Sequence, residues 1–256
     1  MALDVLINPY TYILVFMRMA GMIGFNPMLS RRNLPAQVRI GLIFVLSILL
    51  APNVTIAHLA FAGSLDIVVM MLKELFLGLA CGFVFQIFYH MLFFAGDLMD
   101  IQFGLSMAKV FDPGNNMQMS ITGNLLNMLF ILYIFATDSH LLLIQIFATS
   151  FDVISLGAGN ISADVATFMI ELFINAFSLA IRLAMPFVAA EFVLEMSMGV
   201  LMKFIPQIHV FVINIQFKIL LGIVLLLAFA GPIGSFTDNF MRLMFQNIQN
   251  VLYVLA

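Results

Sequence analysis

Two pairs of carboxylates stand at helical spacing in a chain that carries little other charge. Asp97 and Asp100 are three residues apart and Glu191 and Glu195 four apart, so each pair shares one face of a helix. Paired carboxylates are what general acid–base cleavage of a glycoside or a peptide needs. Neither pair, however, is accompanied by a nucleophile pattern, and the residues around both are too apolar to complete a site. The run Asp138, Ser139, His140 holds the residue types of a hydrolase triad, yet consecutive residues on a helix point away from one another. No HExxH, GxSxG or P-loop pattern occurs, and His58, His90, His140 and His209 stand singly. The single cysteine, Cys81, allows neither an intrachain disulfide nor a multi-cysteine metal site. These residue types point away from an enzyme, a cofactor or a metal centre, and towards charges that pair helices or subunits.

The elements that must hold those charges are apolar. Of 256 residues, 64% are hydrophobic and 9% charged, with a mean hydropathy of +1.14, against about 25% charged residues in ordinary soluble domains. Too few polar residues remain to cover a surface in water. An all-α integral membrane protein is therefore expected. A charge at the bilayer centre costs at least about 2.5–3.5 kcal/mol on insertion scales, so Arg18, Arg39, Glu74, Asp97, Asp100, Glu171, Arg182, Glu191, Glu195 and Lys218 are expected to face protein or water as inter-helix or assembly contacts. A net charge of −3 without any Lys/Arg run excludes nucleic acid as a partner.

A spanning helix needs about 20 apolar residues, and about six long segments qualify: 9–29, 39–60, 67–96, 121–149, 165–200 and 207–230. Residues 75–96 contain no Asp, Glu, Lys or Arg at all. Turn signals separate the segments, at Asn26–Pro27, "NLP" ending at Pro35, "APN" from Ala51, "DPGNN" from Asp112, "LGAGN" from Leu156 and "AGPIG" from Ala230. Several segments are expected to be broken or hairpin-like, and Asp138 and His140 interrupt the fourth. Pro186 and Pro206 lie inside apolar runs, where a missing N–H interrupts or kinks a helix, and Gln207 adds polarity beside the second. Positive charges conflict over topology: Arg31, Arg32 and Arg39 pull the first loop to the cytoplasm, while Lys203, Lys218 and Arg242 pull the C-terminal end the same way. The first segment, with Asp4 where a signal peptide needs positive charge, is expected to be retained. Gly78 and Gly82 form a GxxxG pattern that lets two helix backbones approach closely, and 20 methionines with 28 phenylalanines suit an adaptable wall.

At this level the chain resembles the FliR family of flagellar export-gate proteins, whose injectisome relatives serve virulence secretion. The resemblance runs nearly end to end. It rests on "RMAGMIGFNPMLSRRNLPAQVRIGLIFVLSILLAP" near the N-terminus, "KELFLGLACGFVF" from Lys73, "AGDLMDIQFGLSMAKVFDP" from Ala95, "DSHLLLIQIFATSF" from Asp138 and "IRLAMPFVAAEFVLEMSMGVLMKFIPQIHVFVINIQFKILLGI" from Ile181. Each is weak alone; their order and spacing are specific.

The resemblance implies a non-enzymatic core component of the inner-membrane gate, at the flagellar basal body, through which unfolded flagellar proteins are exported. It implies assembly with FliP-like and FliQ-like chains and an FlhB-like subunit, embedded in membrane lipid. Residues 1–164 then form a FliP-like helical unit and 165–256 a FliQ-like hairpin unit. In that family the segment corresponding to 109–120 reaches into the channel as a plug, which assigns Phe111, Asp112, Pro113, Gly114, Asn115, Asn116, Met117, Gln118 and Met119 to gating. Their chemistry suits the role: Pro113 and Gly114 turn the chain, the amides tolerate a wet lumen, and Phe111, Met117 and Met119 are soft apolar stoppers. An injectisome homologue is the alternative. A secondary transporter with a midplane site is a third reading, disfavoured because the two halves show no internal repeat.

Overall fold

The computed structural model describes residues 9–29, 35–54, 64–106, 120–160, 162–205 and 210–256. Eight α-helices follow one another: α1 Pro9–Gly24, α2 Ala36–Leu50, α3 Ser64–Gln102, α4 Ile121–Ala136, α5 Ser139–Val153, α6 Ala163–Phe204, α7 Val210–Ala228 and α8 Ala230–Leu255, with one 3₁₀ turn at Ala51–Asn53. No strand occurs among the described residues. Three stretches, Ala36–Asn53, Leu65–Gln102 and Ala163–Phe204, are long and apolar enough to cross a membrane. The number rises to five if the bent pairs α4–α5 and α7–α8 each count as one span. The chain is an all-α integral membrane protein, because only helices can satisfy this many backbone groups without water.

Three sequence expectations change, and one break falls where expected. The segment 67–96 is only the middle of α3, which continues to Gln102 and so takes Asp97 and Asp100 into its last turns. The fourth segment is interrupted where Asp138 and His140 mark it: it is two helices, α4 and α5, meeting at 76°. Asp138 sits between them in the left-handed region at φ 54°, a conformation that Asp tolerates better than most side chains. The break expected at Pro186 is absent, since α6 runs through it. A proline removes one N–H and thus one backbone bond, and Phe187 beside it is fixed by ring contacts to Phe103 and Phe229, enough to carry the helix on. Pro206 and Gln207 lie outside the described residues; α6 ends at Phe204 and α7 begins at Val210.

The third change is α8, which no long apolar run announced. It is amphipathic: Ile233, Phe240, Met244, Ile248, Val251 and Leu255 are buried along one stripe, while Asn239, Arg242, Gln246 and Asn250 are exposed. The "AGPIG" read as a turn is its first turn. Pro232 is tolerated there because that N–H would lack a partner anyway. The chain bends by 63° between α7 and α8.

Two compact units are present. One comprises Met1–Phe88, Ile134–Ile174 and Arg242–Ala256, the other Tyr89–Tyr133 and Asn175–Met241. In the first, α1 turns a stripe of Thr11, Leu14, Val15, Arg18, Met19 and Met22 inward at helical spacing. By contrast α2 buries only Ile43 and Ser47 and exposes Val38, Ile40, Phe44, Val45 and Leu49, a face suited to lipid or to another apolar helix. The second unit is centred on Phe103, Phe130, Phe187 and Phe240, each at most 2% exposed.

Candidate functional site

Asp100 is wholly buried near the C-terminal end of α3, and its carboxylate reaches across to the start of α4. It accepts hydrogen bonds from the Ser120 hydroxyl at 2.7 Å, the Ile121 N–H at 2.6 Å and the Thr122 N–H at 3.1 Å. Ser120 Oγ in turn accepts from the Gly123 N–H at 2.8 Å. Ser120 is thus an ordinary N-cap, and Asp100 takes the two further N–H groups that a helix start leaves without partners. A carboxylate at the positive end of the helix dipole is also in its favoured place.

Behind this clamp the two backbones touch. A Cβ placed on Gly96 would collide with the backbone of Gly123, and one on Gly123 would lie 2.9 Å from the Phe93 carbonyl oxygen. Asp100 and Ser120 therefore hold together the ends from which residues 107–119 leave and return. The gating residues assigned by resemblance, 111–119, themselves lie outside the described residues. Asp97, one turn earlier, is half-buried.

In the same unit an aromatic cluster joins the residue after α3, the middle of α6, α7 and the break after α7. Phe103 meets Phe187 edge-on, with ring centres 6.0 Å apart, and Phe187 meets Phe229 at 5.4 Å. The Phe103 ring lies so close to Gly222 that a Cβ there would stand 2.6 Å from it. One turn before Gly222, Lys218 donates to Glu195 Oε1 at 3.0 Å. Glu191, one turn before Glu195, is buried, and neither of its carboxylate oxygens has a hydrogen-bond partner. The i, i+4 pair read from sequence does share a face, but only Glu195 is joined to Lys218. Arg182 and Glu171 are exposed on α6, and Arg39 is half-buried on α2.

The first unit holds a second polar cluster. Arg18 and Glu74, both 0% exposed, pair through Nε and Oε2 at 2.5 Å. The guanidinium also donates to the Ser150 carbonyl at 2.8 Å and the Ile154 carbonyl at 3.0 Å, and lies 4.4 Å from the centre of the Phe151 ring. The other Glu74 oxygen accepts from the Gly157 N–H at 2.8 Å. Arg18 therefore ties α1 to α3 and caps the C-terminal carbonyls of α5, where a cation suits the helix dipole. Sequence singled out both charges, but the pairing across 56 residues and the backbone acceptors carry no sequence signature. The GxxxG pattern performs the close approach expected of it. A Cβ on Gly78 would collide with the Arg18 carbonyl oxygen, and one on Gly21 would stand 2.6 Å from that of Leu75. Asp138, Ser139 and His140 form no triad: Ser139 Oγ pairs with Thr137 Oγ1 at 2.8 Å, and the His140 ring lies against Phe135.

Similarity to known proteins covers all of these elements. The chain is 25% identical to the flagellar biosynthetic protein FliR of Escherichia coli (strain K12) over 94% of its length and 90% of that protein. It is 27% identical to FliR of Bacillus subtilis (strain 168), covering 94% of each. To the Yop proteins translocation protein T of Yersinia pestis it is 28% identical, over 96% of this chain and 95% of that one. The family described as "Bacterial export proteins, family 1" matches residues 10–244, a stretch that holds the Asp100 clamp, the Arg18–Glu74 pair and the Lys218–Glu195 bridge alike, and the chain belongs to that family.

Proposed function

We propose that this protein is a core component of a flagellar type III protein export gate in the bacterial inner membrane, at the flagellar basal body. It assembles there with FliP-like and FliQ-like subunits and an FlhB-like subunit around the path taken by unfolded flagellar proteins. The observation that carries this reading is the near end-to-end similarity to FliR proteins of distant bacteria. The similarity to a Yop translocation protein supports a second reading, the corresponding subunit of an injectisome. Its work is structural, that of a channel wall and closure, with no catalytic step.

Within this reading residues 1–164 act as the FliP-like unit and 165–256 as the FliQ-like hairpin, the latter supported by the long α6 followed in the chain by α7. Residues 109–120 close the conduit by many weak apolar contacts, each side chain giving roughly 1.5–3 kcal/mol when fully buried, so that a passing chain displaces them piecewise. The support is the Asp100–Ser120 clamp, which gives such a segment a fixed base. Replacing residues 111–119 by a short Gly/Ser linker is expected to leave the purified assembly intact and to raise its ion conductance in planar bilayers. An intact assembly as tight as the wild type would return the segment to a connector.

A further inference from the structure

The two faces of α6 around its midpoint differ in kind. Ala176, Ala180, Leu183, Phe187 and Glu191 are buried at helical spacing. The opposite face carries Asn175, Arg182, Met185, Pro186, Ala189 and Val193, all exposed, with Ser178 half-exposed among them. No hydrogen bond or ion pair engages the Arg182 guanidinium among the described residues. Asn175, Ser178 and Arg182 stand at i, i+3 and i+7, so an amide, a hydroxyl and a guanidinium fall in one row. Pro186 has no N–H, which leaves the Arg182 carbonyl without its donor four residues on. Donors and a free acceptor thus gather on one face, over about 10 Å of axis, of a helix that is long and apolar enough to span a membrane.

Lipid tails cannot meet this group. Headgroups do not suit it either, because exposed large apolar side chains continue on both sides: Ile170 and Ile174 before it, Phe192, Val193 and Met196 after it. A second copy of this chain, inserted the same way and related by a two-fold axis along the membrane normal, would set Arg182 against Arg182 at equal depth.

We infer that this face of α6, centred on Arg182, is the docking surface for a membrane helix of a different subunit that presents an Asp or Glu carboxylate to the guanidinium. The charge is complementary, the fork geometry of Arg suits a carboxylate bidentately, and the flanking apolar side chains form a lipid-excluding rim. The inference rests on the export-gate reading and deepens it, by assigning the chemistry that a partner must bring.

The test places a photo-crosslinking amino acid at Ser178 or Met185 in the full complex in its native membrane and maps the adducts by mass spectrometry. The expected result is an adduct to another membrane subunit within a helix containing Asp or Glu. Adduct per recovered chain should fall about three- to twenty-fold in Arg182→Glu and return when the partner's carboxylate is changed to Arg. If Arg182→Glu depletes the chain itself, Arg182→Met should lose the adduct while Arg182→Lys keeps most of it. Adducts only to lipid or to a second copy, or an adduct indifferent to all three substitutions, would overturn the surface. Secretion scored in the same strains separates the two ideas. Secretion that depends on the chain, without the adduct, removes only the docking surface; the adduct, with secretion indifferent to the chain, removes the export reading.

Discussion

Arg18 and Glu74 illustrate how a charge survives inside an apolar protein. Each is fully buried, and each has its polar atoms engaged by the other or by backbone. Removing one partner leaves the other buried and uncompensated, so Arg18→Met alone should destabilise the protein by about 3–5 kcal/mol. The double change Arg18→Met with Glu74→Leu should recover much of that loss. Thermal melts of the complex in detergent check this; equal loss in single and double variants would mean that packing, not charge, dominates. Lys218 and Glu195 differ. Their bridge is 3.0 Å long, but the Glu195 side chain is 56% exposed, so Lys218→Met should cost no more than about 1 kcal/mol. Asp100 lies between these cases. Asp100→Ala strips three donors of their acceptor and should cost about 1–3 kcal/mol, with faster hydrogen exchange at the amides of Ile121 and Thr122. Unchanged exchange there would show that the clamp does not hold α4.

At the scale of elements, close approach and amphipathicity decide. Because a Cβ on Gly78 meets backbone, not a flexible side chain end, Gly78→Ala must push α1 and α3 apart, at about 1–3 kcal/mol. Gly24→Ala, with nothing within 4 Å of the new atom, is the control and should be near neutral. A melt that moves equally for both would contradict the packing described.

The same features explain what could be read without coordinates. Long apolar runs with sparse charge, bounded by turn residues, marked α2, α3, α6 and α7, and the GxxxG pattern marked a real helix contact, because these are signals of composition and short spacing. Amphipathic α8 was invisible to a search for 20 apolar residues, since Asp238, Arg242 and five amide side chains interrupt it. Pro186 misled because the loss of one backbone bond is weighed against packing of Phe187, which only the fold supplies. The Asp100 clamp was half legible: the acid was noticed, but its partners are mostly backbone N–H groups 20 residues on.

On the scale of the whole molecule, the exterior is the dominant fact. Large apolar side chains are exposed along α2, α4 and α6, and a chain with such a surface belongs in lipid or in a larger assembly. Expressed alone in detergent it should aggregate or be degraded, and co-expression with its membrane partners should rescue it; a monodisperse, stable monomer would count against obligate assembly. The export reading itself is tested most directly in cells. In a strain from which this chain has been deleted, flagellar proteins in the culture medium are quantified by mass spectrometry, with and without a plasmid copy. They are expected to vanish from the medium, remain inside the cells, and return with the plasmid, whereas flagellar proteins secreted at wild-type levels by the deletion strain would refute the export reading.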